Sequence, residues 1–219
     1  MYSLFIDEYL HSSSAIGVNV FEYWKQNKRF ETLAKSLKVS SLNIDFIQFE
    51  EKFKIFESSK KDPNIDVVIH YTTGSLLGIE CKFTEPFSSR KINYGLKEKY
   101  IKDFKYWGNF PNLNKLAKEI GPDDKIFQYF HCAQIIKHFM GLYTQKKDIN
   151  KIKLMYIYLP AIMENNQEYV LEIERLKKVF LLDGVKFYYI TWNELIRNFL
   201  KNAEATDKEY LKYLVERYL

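Results

Sequence analysis

The chain has 219 residues, of which 47% are hydrophobic and 28% are charged, and its formal net charge is +5. This composition excludes a disordered chain and fits a soluble globular protein, and the length fits one domain over 1–219. The basic excess permits a nucleic-acid partner without requiring one, because 28 of the 33 basic residues are Lys and guanine reading favours Arg.

Two cysteines, Cys81 and Cys132, are too few for a disulfide framework, and no CxxC or Cys/His cluster predicts zinc. We expect Cys81 to be buried and reduced, because it lies within an apolar stretch. The first fourteen residues carry neither the basic nor the long apolar region of a signal peptide. No apolar run approaches the ~20 residues of a membrane span. The sequence therefore predicts a cytoplasmic protein with no membrane contact.

The first half of the chain predicts a helix followed by three strands. Apolar residues recur at helical spacing over 15–38, after a hydroxyl-rich start that suits an N-cap. Alternating residues over 44–56 predict a half-buried strand, and two apolar runs over 65–71 and 76–83 predict two more. A short turn at 73–75 joins the last two, so we expect an antiparallel meander.

The second half predicts helices that alternate with two strands. Helical stretches within 90–120 are interrupted by Gly and Pro, and a longer helix is expected over about 125–143, ending near Gly141. The remaining predicted elements are strands at 153–160 and 185–191, helices at 171–182 and 207–219, and a helix at 192–200 with Thr191 as its N-cap. This order predicts an α/β (α+β) fold with a mixed sheet flanked by helices.

Three ionisable residues lie within the apolar strands, with Asp66 in one and both Glu80 and Lys82 in the next. Alternate strand residues point to the same side, so Glu80 and Lys82 share a face and Cys81 points away. If the two strands pair through their short turn, the carboxylates approach each other, and both stay ionised only beside a cation. Oxygen ligands without His or Cys favour Mg²⁺ or Mn²⁺, and the backbone carbonyl of Cys81 is a further candidate ligand.

Lys82 has a chemical role beside such a cation. Its amine can position or deprotonate an attacking water, or stabilise the charge that develops on a phosphate. The cation lowers the pKa of its water and polarises the phosphoryl group. Asp66, Glu80 and Lys82 together therefore predict a site that hydrolyses phosphodiester bonds.

The acidic-x-Lys string carries little information by itself. It occurs four times, beginning at Glu50, Glu80, Asp103 and Asp123, which is about as often as the composition predicts. Only the occurrence at Glu80 follows an aliphatic run and has an aspartate 14 residues upstream in its own aliphatic run. The setting of this string, and not the string itself, supports the site.

The arrangement Pro63-x-x-Asp66, followed after 13 residues by Glu80-x-Lys82, resembles the PD-(D/E)XK nuclease superfamily. It is similar in particular to a bacterial restriction endonuclease-like group that tends to read G-I-E-x-K-[FY]-x-E, where this chain has GIECKFTE over 78–85. The family proline usually precedes its aspartate directly, whereas here it stands three residues before, and the proline is not a metal ligand. Looser similarities over 12–200 are the start with Ser13, Ser14, Ala15, Asn19 and Phe21, the helix with Gln134-Ile-Ile-Lys-His138, and the strand that ends at Pro160.

The resemblance implies an αβββαβ core and divalent-metal-dependent cleavage of DNA in a prokaryotic restriction or defence context. It also implies that Asp66 and Glu80 are metal ligands and that Lys82 is the catalytic lysine. Many enzymes of this superfamily pair up to cut two strands, so a homodimer is compatible with the resemblance.

The helix around Gln134 offers further candidate residues. Gln134 and His138 are four apart and can share a face that points at the metal site or at a DNA phosphate, with Lys137 beside them for phosphate contact. The alternative is a polar helix face satisfied by backbone or solvent. Arg90 and Lys91, in a basic and aromatic stretch, are candidates for a nucleic-acid surface, although an amphipathic helix with outward lysines gives the same pattern.

The first strand carries two neighbouring acidic residues. Glu51 shares the parity of the apolar Phe49 and Phe53, and a carboxylate on an apolar face is either paired or part of a site. The family tends to have a Phe-Glu pair here, which matches Phe49-Glu50 instead. Because the two arguments disagree, both Glu50 and Glu51 are candidates for a catalytic carboxylate, and a solvent-exposed edge strand is the alternative.

Two other functions are open to the same sequence. A binding module that has lost catalysis would recognise nucleic acid or protein, although an intact Asp-Glu-Lys set argues against it. A structural protein would use the three charges as a salt-bridged sheet edge, and substitutions of Asp66 or Lys82 would then chiefly change stability.

Overall fold

The computed structural model describes residues 13–40, 42–58, 62–83, 94–160 and 166–218, apart from the side chains of 13–15 and 166. The described strands form a five-stranded sheet in which the spatial order equals the chain order, β1-β2-β3-β4-β5. β1, β2 and β3 pair antiparallel, and β3, β4 and β5 pair parallel. The predicted mixed sheet flanked by helices is confirmed, and the meander of the first three strands with it.

The helices and strands of the described ranges follow the expected order of helix, three strands, helix and strand. In chain order they are α1 (Ser13–Gln26), α2 (Phe30–Leu37), β1 (Ile44–Lys52), β2 (Asn64–Tyr71), β3 (Leu76–Lys82), α3 (Glu98–Lys102), α4 (Pro111–Ile120), α5 (Cys132–Lys146), β4 (Ile152–Tyr158), α6 (Asn166–Leu182), β5 (Lys186–Thr191), α7 (Trp192–Asn202) and α8 (Lys208–Tyr218).

A helical layer covers each face of the sheet. On one face α4, α5 and α6 pack around buried strand residues such as Leu76 and Leu154. On the other face α1 and α7 pack on strand residues such as Ile69 and Ile79, with α2 and α8 against α7. Because strand side chains alternate between faces, the even-numbered positions of β3, including Glu80, face the layer that contains α5.

The single helix expected over 15–38 is wrong, because the chain forms two helices there. α1 ends at Gln26 and α2 begins at Phe30. Lys28 between them adopts a left-handed backbone with φ 51°, which a continuous helix does not allow. The break turns α2 so that Leu33 and Leu37 pack into the same core as Trp24 of α1.

The helix expected from about 125 begins instead at Cys132. Two carboxylates hold the preceding residues in turns. Asp124 Oδ1 accepts the backbone N–H groups of Ile126 and Phe127 at 3.0 and 3.1 Å. Glu172 of α6 accepts three consecutive N–H groups, those of residues 128–130. A contact with a distant helix therefore overrides the local helical spacing.

Gly141 does not end this helix, which continues to Lys146. A Cβ atom at Gly141 would lie 2.7 Å from Cβ of Phe53 and 3.1 Å from its carbonyl oxygen. The glycine therefore allows α5 to pass close to the chain that follows β1. None of the helices within the described ranges has the length and apolarity that crossing a membrane requires.

Candidate active site

Asp66 and Glu80 lie side by side in the sheet. The last antiparallel pair between β2 and β3 joins Val67 and Ile79, and the next residue along each strand is Asp66 or Glu80. Both carboxylates are buried, with exposures of 9% and 2%. Lys82 lies two residues after Glu80 and therefore on the same face of β3. The structure thus brings together the three ionisable residues that the strand pattern singled out.

The Glu80 carboxylate contacts a donor from three different side chains. Its Oε1 lies 2.8 Å from Nζ of Lys82 and 2.6 Å from Nε2 of Gln134. Its Oε2 lies 2.8 Å from Nε2 of His138. Gln134 and His138 are one helical turn apart on α5, so the packing of α5 over β3 aims both at the same carboxylate.

These contacts determine the charge of Glu80. Burial alone would raise the pKa of a carboxyl group. The charge of Lys82, the electrostatic interaction with His138 and the hydrogen bonds from both side chains outweigh the burial and lower the pKa of Glu80 to about 2. Glu80 is therefore ionised at neutral pH although its side chain is almost inaccessible.

Asp66 shows the opposite shift. Burial, and after it the negative charge of Glu80, raise the pKa of Asp66 to about 8. Its Oδ2 accepts the backbone N–H of Cys81 at 2.8 Å, which only partly offsets these effects. The pair therefore lacks enough positive charge to ionise both carboxylates, which is the situation that a bound cation corrects.

The backbone of Cys81 lies beside the carboxylate pair, whereas its side chain points to the opposite face of the sheet. The thiol is buried, unpaired with any other cysteine, and close to Gly17 of α1. Burial raises the pKa of the thiol well above its usual value, so it stays protonated. The N–H of Cys81 points toward Asp66, and in a strand the C=O of the same residue points to the same edge. The Cys81 carbonyl therefore faces the β2 side, beyond the end of the Val67–Ile79 ladder.

The two acidic residues of β1 have different surroundings. The register pairs Phe49 with Val67, and two residues later Glu51 with Ile65, so Glu50 lies opposite Asp66. Glu50 adopts φ 52°, accepts a hydrogen bond from the Asn64 amide, and its charge contributes to the raised pKa of Asp66. Glu51 instead contacts His70, with 2.7 Å between Oε2 and Nε2. Of the two candidates, Glu50 is the one beside the carboxylate pair.

The residues assigned to nucleic-acid contact are not all in reach of a surface. His138 is 2% exposed and contacts Glu80, so we assign it to the carboxylate and not to a nucleic-acid surface. Lys137 is half-buried, and burial lowers its pKa, as does the charge of Lys97, while Glu80 raises it. Arg90 and Lys91 lie outside the described residues.

Two tyrosines and one tryptophan lie next to the site but were not among the predicted site residues. Tyr156 and Tyr158 of β4 pair with Glu80 and Lys82 in the parallel register. Burial, and after it the charge of Glu194, raise the pKa of Tyr158 to about 12, so this hydroxyl is a donor at neutral pH. Trp192 donates its indole N–H to the carbonyl of Lys82 at 2.9 Å. The alternating tyrosines of β4 were the only sequence signal for these neighbours.

The donor set fits a hard divalent cation that keeps part of its water shell. Within the described ranges, no cluster of three or more His, Cys, Asp or Glu side chains is arranged to hold a metal ion. A cation here would therefore use Asp66, Glu80 and main-chain or water oxygens. Mg²⁺ characteristically binds in this way, through one or two carboxylates, several waters and substrate phosphate.

Comparison with known proteins identifies one family. A family model described as a restriction endonuclease associating with ARP matches residues 6–219, which is almost the whole chain. No curated protein and no solved structure matches.

Proposed function

Because the chain belongs to this restriction endonuclease family, we propose that it is a divalent-metal-dependent nuclease of the PD-(D/E)XK type that hydrolyses phosphodiester bonds in DNA. The observation that carries the proposal is the meeting of Asp66, Glu80 and Lys82 at neighbouring positions of β2 and β3. The family supports a role in restriction or defence as the context of this activity.

In the proposed site Asp66, Glu80 and the Cys81 carbonyl would hold Mg²⁺ or Mn²⁺. The cation would supply positive charge to the carboxylate pair and would acidify a bound water. With that charge in place, Asp66 would ionise, because its raised pKa comes from burial and from the Glu80 charge. Glu80 is already ionised and held by three donors, so it needs no rearrangement of charge.

Lys82 has the role of positioning the attacking water or donating to the phosphate. Its Nζ is 2.8 Å from Glu80 Oε1, so the ammonium lies next to the carboxylates, and solvent reaches 14% of the side chain. A donor at this place can stabilise the charge that accumulates on the phosphoryl oxygens. We propose that Lys137 contacts a neighbouring phosphate, with Arg90 and Lys91 as further contacts.

One assay tests the proposed function. Purified protein is incubated with plasmid, linear and single-stranded DNA in the presence of Mg²⁺, Mn²⁺ or EDTA. We expect cleavage with either cation and none with EDTA. Glu80→Ala and Lys82→Ala should each lower the rate by about a hundredfold or more.

An ion pair between a lysine and a glutamate on the surface provides the control for the buried pair of Lys82 and Glu80. Lys177 lies 3.0 Å from Glu174 on α6, away from these strands, so Lys177→Ala should cleave like the unaltered protein. Thermal unfolding of each variant separates lost activity from lost folding. If the folded protein cleaves no substrate with any cation but still retains DNA, it is a binding module, and the nuclease assignment is wrong.

A further inference from the structure

The hydrogen bonds of Glu80 use most of its capacity to bind a cation. A carboxylate has about four lone-pair positions, two on each oxygen. Lys82 and Gln134 occupy both positions of Oε1, and His138 occupies one position of Oε2. The described residues leave a single position on Oε2. As long as α5 stays in place, Glu80 can therefore form one bond to a metal ion and not two.

Among the described residues, Glu80 is the polar partner of the His138 ring. Its side chain is 2% exposed and its Nε2 lies 2.8 Å from Oε2. Its other ring nitrogen, Nδ1, is buried without a hydrogen-bond partner among the described residues. A buried histidine that serves the fold usually has both nitrogens satisfied. The one bond that this imidazole makes is therefore the one that limits Oε2.

The number of free lone pairs matters differently for different cations. Mg²⁺ prefers six ligands in a regular octahedron and takes one oxygen from each carboxylate. Ca²⁺ is larger, takes six to eight oxygen ligands and often binds both oxygens of a carboxylate. A Glu80 that offers one lone pair therefore favours the smaller cation, whereas a Glu80 with both oxygens available favours Ca²⁺.

We propose that His138 is a positioning residue that, together with Gln134, restricts Glu80 to one metal–oxygen bond and so makes the site select Mg²⁺ over Ca²⁺. This inference rests on the proposed metal site and adds its selectivity. The matching spacing of Gln134 and His138 on α5 assigns one oxygen of Glu80 to each of them.

Calorimetric titration of the metal-free, full-length protein with MgCl₂, MnCl₂ and CaCl₂ tests the selectivity without any measurement of cleavage. His138→Leu frees a lone pair on Oε2, and we expect the ratio of Ca²⁺ to Mg²⁺ affinity to rise about tenfold. His138→Gln keeps an amide N–H at a similar reach and should restore the ratio of the unaltered protein. If His138→Leu does not fold, Gln134→Leu frees a lone pair on Oε1 and should shift the ratio in the same direction.

His70 provides a matched control, because its Nε2 also lies 2.7 Å from a glutamate, Glu51, but that glutamate is not opposite Asp66. His70→Gln should leave the ratio unchanged. A folded His138→Leu or Gln134→Leu protein whose ratio stays within about twofold of the unaltered protein would overturn the inference and leave the metal site standing. If the unaltered protein binds no divalent cation at all, both the metal site and its selectivity are wrong.

Discussion

Asp66 and Glu80 are neighbours of the same chemical type with pKa values on opposite sides of their usual range. Glu80 has Lys82, Gln134 and His138 as donors, whereas Asp66 is buried beside the charge that these donors stabilise. At neutral pH the pair therefore carries about one negative charge and one proton. Binding of a cation would exchange that proton for the metal, so we expect metal affinity to rise with pH.

The substitution Asp66→Asn shows how much of the pH dependence of stability comes from the proton on Asp66. The pKa of Asp66 rises from 3.8 to about 8 on folding, so between these values the folded protein keeps a proton that the unfolded chain has lost. Stability from this group is present below pH 4 and is lost as the pH rises through 8. In EDTA, Asp66→Asn should therefore gain stability relative to the unaltered protein as the pH increases from 5 to 9. Urea unfolding across that range measures it, and a difference that does not change with pH would contradict the raised pKa.

The two acidic residues of β1 should differ in their effect on metal binding. Glu50 lies opposite Asp66 and acts on its charge, whereas Glu51 contacts His70. We expect Glu50→Gln to lower Mn²⁺ affinity by about tenfold, because a charge beside the carboxylate pair is lost. Glu51→Gln is the control and should bind Mn²⁺ as the unaltered protein does. Calorimetry compares the two, and equal affinities for both variants would remove Glu50 from the site.

At the level of elements, the site depends on how closely α5 approaches the sheet. α5 brings both Gln134 and His138 to Glu80, and Gly141 lies one helical turn further along, where the helix meets Phe53. The absence of a side chain at Gly141 therefore helps determine how closely α5 packs against β3.

Gly141→Ala tests this contact. The added Cβ would lie 2.7 Å from Cβ of Phe53, so the helix or the chain must shift. Such overpacking costs about 1–3 kcal/mol, which exceeds or cancels the roughly 1 kcal/mol that Ala gains over Gly in a helix. We expect lower stability in urea unfolding and weaker metal binding. Gly108→Ala is the control, because, apart from its chain neighbours, no atom of the described residues lies within 4 Å of its added Cβ. Equal stability of the two variants would show that the contact is not tight.

The sequence predicted the elements whose signals are local. The alternation within β2 and β3, and the short turn between them, were enough to predict that Asp66 and Glu80 come together. Thr191 was predicted as an N-cap, and it accepts the backbone N–H of Glu194 in a reciprocal capping box that begins α7.

Non-local contacts explain what could not be predicted. The spacing of Gln134 and His138 suggested a shared helix face, but nothing in it identified Glu80 as the common partner. The delayed start of α5 depends on Glu172, more than forty residues away. Tyr156 and Tyr158 reach the site only through the parallel pairing of β3 with β4, whose register no local pattern encodes.

At the scale of the whole molecule, one polar cluster joins the first helices to the last. Arg29, between α1 and α2, contacts Asp207 at 2.9 Å and Glu204 at 2.8 Å, both just before α8. Tyr23 also donates to Asp207 at 2.7 Å. Asp207 is fully buried, whereas 65% of the Glu204 side chain is exposed.

The same arginine therefore allows a comparison of a buried and an exposed partner. Asp207→Ala removes the buried carboxylate that accepts from both Arg29 Nη2 and Tyr23 Oη, and we expect a loss of about 2–3 kcal/mol in the free energy of unfolding. Glu204→Ala removes an exposed ion pair and should cost less than about 1 kcal/mol. Urea unfolding at pH 7 measures both. Equal losses would mean that α8 is held by its apolar residues and not by this cluster.

Trp192 lies close enough to the site for its fluorescence to report on ligand binding there. Its N–H donates to the carbonyl of Lys82, the residue that ends β3, whereas that of Trp107 donates to Tyr100. A cation or a phosphate that shifts the end of β3 should therefore change the polarity sensed by one tryptophan of three. We expect Mg²⁺ to alter the emission spectrum of the unaltered protein and of Trp107→Phe, but not that of Trp192→Phe. If the emission of Trp192→Phe still responds to Mg²⁺, the change occurs elsewhere in the protein. If that response is lost, the fluorescence of the unlabelled protein can be used to follow each binding step at β3.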